Sequence, residues 1–342
     1  MSSTARLLAT AATATLTAAA PAAADLTADD VWDSWQQTMS DMGQTVEVAA
    51  VGQTGTTLTL DGVSVSMAST ECNFRVLVDQ IVMTEQGDGS VDIGVSPEYA
   101  MQVNTRGDGG EDVVMDMTLS TADLELSATG DPGAISYAYA IPRMELSLDS
   151  VTADGEPVQM DLSMAMDTVS GTYFVEAGEP QSITSFLSAA AVAATIDVDE
   201  PEEEADFTLN FAMQGLETNS TGTMSPFAGA QSLPEFLRAG LSSEGTATHG
   251  ASSYRIDAAT PDGQVILEGS ASSGDLEFSL TEDGIRYGGG NADVALTVTA
   301  PGAMMPPVAL QIARTSGEVT MPLIASDEPK PIALNMEFDG LV

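Results

Sequence analysis

The chain has 342 residues, with 51 acidic side chains against 9 basic ones and a net charge of −42. That balance repels nucleic acid and anionic membrane surfaces, and it suits a protein bathed in salt, where screening over about 8–10 Å tames self-repulsion. One cysteine, Cys72, allows no internal disulfide, and a single cysteine with a single histidine rules out the usual zinc sets, so stability must come from packing.

Residues 1–24 read as a secretory signal. Arg6 precedes a soft apolar stretch beginning at Leu7, and Ala22-Ala23-Ala24 supplies a small-residue cleavage site before Asp25. Threonines interrupt the stretch, and no later segment is apolar for long enough to span a bilayer. The expected product is a periplasmic protein with no transmembrane span in its mature chain. The first mature element reads as a helix: Thr27 and Asp30 fit a capping box, Val31, Trp32, Trp35, Met39 and Met42 recur at helical spacing, and Gly43 stops it. Both tryptophans lie on this helix as anchors for docking on a sheet.

From Thr45 onward the signal is period two. In "GTTLTLDGVSVSM" the apolar residues shift phase: Leu58 and Leu60, then Val63, Val65 and Met67. Asp61-Gly62 is either a two-residue hairpin turn or a bulge, and both keep the apolar residues on one face. Ile81 and Met83 and then Val91, Ile93 and Val95 flank a glycine-rich turn, and Ile135, Tyr137, Tyr139 and Ile141 alternate again. "VQMDLSMAM" sets Met160, Leu162, Met164 and Met166 on one face, and "FTLNFAM" does the same with Phe207, Leu209, Phe211 and Met213. In the last third, turn signals at short spacing separate alternating runs such as Leu276/Phe278/Leu280 and Val294/Leu296/Val298. Two stretches depart from the pattern. Gln181 to Thr195 has the alanine content and the Ile183, Phe186, Leu187, Ala190 spacing of a helix, and Ser232 to Leu241 pairs a Ser232/Glu235 cap with an early proline. Between them, residues 197–206 form an acidic loop that divides a first β segment (25–196) from a second (207–342).

The expected fold is mainly β: long antiparallel meander sheets, curved into a groove or closed as a sandwich, with an N-terminal helix and one or two short helices. The opening signature returns at the other end, where Leu334, Met336 and Phe338 precede Asp339-Gly340 and Leu341. This recurrence predicts that the sheet continues beyond Val342; the alternative is a C-terminal edge strand.

The signal, a first helix bearing "DVWDSW", and "LTLDGVSVS" leading into "IVMTEQGDGSVDI" resemble the start of the DUF2125 family of periplasmic proteins. The resemblance is clearest over the N-terminal hundred residues or so and implies no reaction or cofactor. The "LTLDGV" type of repeat is also distantly similar to AsmA-like envelope proteins, whose curved sheets present a hydrophobic groove to lipids.

Catalytic signals are absent. His249 has no local serine or aspartate arrangement, no G-x-S-x-G elbow occurs, and the acidic run lacks the spacing of a calcium loop. No enzyme, metal or cofactor is expected. What remains is the apolar face of Met160, Leu162, Met164, Met166, Phe207, Leu209, Phe211 and Met213, rich in thioether chains that repack around variable ligands. It predicts a non-enzymatic envelope protein that binds or transfers a lipid or other apolar ligand on a curved sheet. The alternative is a structural or protein-interaction module with a closed core, an envelope partner and no ligand.

Overall fold

A computed structural model describes residues 25–68, 72–106, 110–200, 205–226, 233–261, 263–302, 306–324 and 332–341. The signal segment, Ser232 and the middle of the acidic run lie outside these residues. Helix α1 (Ala28–Asp41) starts at the capping box read from the sequence, with the Asp30 backbone N–H donating to Thr27 Oγ1 at 3.1 Å and the Thr27 N–H donating to the Asp30 carboxylate at 3.0 Å. It is followed by β1 (Thr45–Thr54), β2 (Thr57–Ala68), β3 (Cys72–Glu85), β4 (Val91–Val95), β5 (Glu98–Arg106), β6 (Asp112–Ala122) and β7 (Glu125–Asp131). Next come β8 (Ala134–Ala153), the short β9 (Glu156–Pro157), β10 (Met160–Glu176), β11 (Gln181–Glu200) and β12 (Ala205–Met224). After α2 (Leu233–Arg238) the chain forms β13 (Ser242–His249), β14 (Ser252–Thr260), β15 (Gly263–Ala271), β16 (Ser273–Thr281), β17 (Gly284–Thr299), β18 (Val308–Met321) and β19 (Ala333–Asp339).

All described strands belong to one antiparallel sheet that follows chain order from an edge at β1 to an edge at β19. Four strand pairs, β4 with β5, β6 with β7, β13 with β14 and β15 with β16, each occupy one track, because both members bond the same neighbour. The interruptions in these tracks fall on one transverse line across the sheet.

At that line the strands reverse their apolar phase. In β8 the inward residues Ile135, Tyr137 and Ile141 give way to Met144 and Leu146, and in β10 Met164 and Met166 give way to Val169 and Tyr173. The phase break that "GTTLTLDGVSVSM" shows is the same event in β2. Asp61-Gly62 is neither a hairpin turn nor a register-shifting bulge: β2 runs straight through, and Asp61 opposes Gln80 while Val63 opposes Val78 with no residue inserted. Adjacent strands turn over together, so register survives although the facing side chains change. A left-handed residue marks the line in every second or third track: Gly62 (φ 63°), Asp123 (47°), Thr168 (52°), Gly215 (64°), Asp293 (50°) and Gly340 (66°). No two adjacent tracks both carry one at this line. The residue facing it is small where the approach is tightest, since a Cβ added to Gly62 would lie 2.9 Å from Ala49 Cβ, and one added to Gly340 would lie 2.8 Å from Ala313 Cβ.

The result is a crease with two arms. One, the methionine arm, holds Val63 to Ala68, β5, β6, β14, β15 and the outer halves of β8, β10, β11 and β12; the other, the helix arm, holds β4, β7, β13, β16, β19 and the remaining halves. Apolar side chains line the same side of both arms, and residues of the two arms pack together across the line on that side, which makes it the concave one. Beside the crease, Ile141, Val169 and Ala189 of the helix arm pack with Val192, Met166 and Phe211 of the methionine arm. Nearer β1 the angle is filled by α1: Leu26, Ala28, Val31 and Trp32 share one buried cluster with Leu60, Ile81, Ile135 and Tyr137 on one arm and Val63 and Val78 on the other.

Two expectations are corrected. Gln181 to Thr195 is not a helix but most of β11, hydrogen-bonded along its length to β10 and β12. The spacing that imitates a helix comes from Phe186, which pairs with Thr172 and Asn219 on the polar face while Ile183 and Leu187 lie on the other face of the same strand. Partners on both sides then outweigh the helix propensity of the alanines. The acidic run is likewise no boundary. β11 runs to Glu200 and β12 begins at Ala205, with Asp197 opposite Thr208 and Asp199 opposite Asp206, so the run is the tip of a long hairpin and the sheet continues across it.

Candidate functional site

The residues singled out in the sequence come together on the concave face. Met160 and Phe207 both pair with Val198, Leu162 and Leu209 with Ile196, Met164 and Phe211 with Ala194, and Met166 and Met213 with Val192. Their common neighbour, β11, is the strand whose Gln181 to Thr195 stretch sequence reasoning assigned to a helix, so the strand that joins the two runs was missed. Residues directly opposite in antiparallel strands share a face, and the surface can be followed well beyond these strands.

One ladder crosses nearly the whole sheet. Toward β1, Met164 pairs with Leu146, Leu146 with Leu119, Leu119 with Tyr99, Tyr99 with Val78, Val78 with Val63 and Val63 with Val48. Toward β19, Ala194 pairs with Phe211, Phe211 with Tyr254, Tyr254 with Gly269, Gly269 with Leu296 and Leu296 with Leu310. A second row runs beside it through Val76, Met101, Met117 and Leu148 and, farther along, through Ile196, Leu209, Ile256 and Leu267. At about 4.8 Å per strand the first ladder extends about 55 Å, longer than the roughly 30 Å hydrocarbon core of a bilayer.

Burial varies over the apolar face. Val63 and Val78 are buried beneath α1; Leu119, Leu146, Met164, Phe211, Leu296 and Leu310 of the ladder are half-buried, and Tyr254 is 37% exposed. In neighbouring rows of the same face Val265 is 48% exposed and Val308 61%. On the helix arm Leu276 is 42% exposed, Tyr287 46% and Leu334 63%. Three surface depressions lie on the opposite, polar face: one of about 570 Å³ over the row of small residues Ala193, Ala212, Ser253, Ser270 and Ala295, one of about 590 Å³ over Thr184, Asn219, Thr246 and Ser279, and one of about 600 Å³ over Asp92, Glu125, Ser127 and Ala138. Among the described residues the concave apolar side is an open, half-solvated surface.

Where the apolar surface meets α1, Trp35 lies 6.1 Å from Tyr137 and Tyr137 lies 6.2 Å from Tyr173, centroid to centroid. Burial pushes the phenols of Tyr137 and Tyr173, and of Tyr139 nearby, above their ordinary range. Farther along the helix arm the concave face takes on a polar strip, with Ser185 Oγ and Ser220 Oγ 2.7 Å apart. Tyr254 folds over Gly269 and Phe278 over Gly245, each ring occupying the space a Cβ would take. The outer face carries the charge: Arg255 pairs with Glu268 and Asp257, Arg143 with Glu145 and Asp167, and Arg286 with Glu318 and Glu277. All of these pairs are solvated and contribute little to stability.

His249 ends β13 beside the crease, with Nδ1 2.7 Å from the Gly250 carbonyl oxygen. Among the described residues no group of three or more His, Cys, Asp or Glu side chains is placed to hold a metal ion. No helix among them is long and apolar enough to cross a membrane. Comparison with protein-family models, with curated proteins and with solved structures gave no match.

Proposed function

We propose that the chain is a non-enzymatic periplasmic envelope protein of the DUF2125 type that binds, and passes on, a lipid through its acyl chain. The observation that supports this reading most is the apolar ladder on the concave face, continuous from Val48 to Leu310 and, among the described residues, covered where α1 fills the angle and open beyond it. Burying one large apolar side chain stabilises by roughly 1.5–3 kcal/mol, so a surface holding many half-exposed ones favours an apolar cover. An acyl chain laid across the strands supplies that cover without requiring directional hydrogen bonds, and the methionines adapt to its shape. The acidic outer face keeps such a carrier apart from anionic membrane surfaces until the ligand is delivered.

Titration of delipidated protein with a fluorescent polyene fatty acid tests the reading. Saturable binding is expected, weakened at least tenfold when Met164 and Phe211 are both changed to Asp. Ala212→Asp, on the polar face beside Phe211, should leave binding unchanged. Retained folding of both variants is checked by circular dichroism. Equal binding by all three proteins, or no saturable binding by the parent, contradicts the proposal.

A further inference from the structure

A polar spot interrupts the apolar face beside the crease, and we infer that it receives the carboxyl group of a fatty acid whose chain lies along the apolar ladder. The assignment rests on the lipid reading above and names the head that such a ligand carries. His249 pairs with Gly274, Gly274 with Asn291 and Asn291 with Thr315, so the four share a face. That face is the concave one, because Leu276 and Phe278 follow Gly274 at alternate positions of β16. Gly274 has no left-handed backbone that would call for a glycine. Space calls for it instead: a Cβ added there would collide with both His249 Nε2 and Asn291 Oδ1, so the two side chains lean over it from the strands on either side. Tyr254 and Phe278 cover their glycines with apolar rings, whereas here two polar groups meet.

One hydrogen bond sets the chemistry of the spot. His249 Nδ1 lies 2.7 Å from the Gly250 carbonyl oxygen, which can only accept, so Nδ1 carries a proton and Nε2 of the neutral ring is left as an acceptor. Among the described residues no protein group hydrogen-bonds to Nε2, to the Asn291 carboxamide or to the Thr315 hydroxyl, although all three residues are half-buried. An imidazole acceptor and a carboxamide that both donates and accepts, converging from two strands onto one glycine, match a carboxyl group. Its O–H donates to Nε2 while its carbonyl oxygen accepts from the Asn291 amide. A carboxylate against the imidazolium holds the same proton and is the stronger form of the same contact. No acidic side chain lies among these four residues, and the net charge of −42 opposes an acid that arrives without that proton. Beyond the left-handed Asp293, β17 continues on the concave side as Val294, Leu296 and Val298, so a chain attached at the polar spot runs directly onto the apolar ladder.

Titration of the delipidated chain with a fluorescent polyene fatty acid and with its methyl ester, which keeps the acyl chain and loses the O–H, tests this. The parent should bind the acid about tenfold more tightly than the ester, as expected for the lost hydrogen bonding. His249→Leu and Asn291→Leu should each lower the affinity for the acid toward that for the ester and leave the ester unchanged, with folding checked by circular dichroism. Equal affinity of the parent for acid and ester overturns the inference, leaves the lipid reading standing and needs no variant. A folded variant that loses acid and ester alike, or one that keeps the full preference for the acid, overturns it as well. If the parent binds neither ligand, the lipid reading itself fails and takes the carboxyl site with it.

Discussion

Gly62→Ala tests the crease most sharply. Gly62 sits at φ 63°, where an L-residue with a Cβ is disfavoured by about 1–2 kcal/mol, and the new Cβ would lie 2.9 Å from Ala49 Cβ, inside contact distance. Ala49 is on the exposed edge strand β1 and can yield, so the steric part belongs at the lower end of the about 1–3 kcal/mol typical of overpacking. The sum is a loss of about 2–3 kcal/mol. Ala49→Gly alone should cost about 0.5–1 kcal/mol through chain entropy, and in the double variant it should return about 1 kcal/mol by removing the clash, leaving only the backbone part. Urea unfolding followed by the fluorescence of Trp32 and Trp35 reads the effect, because both lie on the helix that packs at this end of the crease. The midpoint should fall with an unchanged slope. A loss under about 0.5 kcal/mol, or an additive double variant, would refute the argument that a left-handed residue facing a small neighbour shapes the fold.

Two further outcomes follow from the same geometry. Asp161 faces Asp197 directly across β10 and β11, so Asp161→Asn should raise stability by about 0.2–1 kcal/mol at low salt, with the gain shrinking in 1 M NaCl when thermal unfolding is compared. The tyrosine phenols that burial raises lead to an alkaline prediction: stability is complete below the unfolded tyrosine range near pH 10 and is lost as pH rises through the higher folded values. Tyr137→Phe should therefore lose less stability than the parent between neutral pH and about pH 11, measured by urea midpoints. An equal loss would show that Tyr137 does not contribute.

Much of the fold was legible because alternation reports burial of one face whatever the final curvature. The capping box at Thr27, the meander and the shared face of Met160 to Met166 and Phe207 to Met213 all follow from spacing alone. The crease was only half legible. Its left-handed positions carry glycine, aspartate or threonine, and its other tracks cross the line without any special residue, so only the two Asp-Gly pairs drew notice. β11 was misread because Phe186, an apolar residue on the polar face, breaks the alternation of an alanine-rich strand into a false helical repeat, and that error hid the strand joining the two halves of the apolar surface.

The most direct test of the central claim is native mass spectrometry with lipid extraction on the protein isolated from a Gram-negative periplasm, beside an equally acidic β-protein as control. The account predicts a reproducible acyl-chain lipid bound to the parent, absent from the control and lost from the Met164→Asp/Phe211→Asp variant. A folded parent that carries no lipid, and takes none up when lipid is supplied, would contradict it.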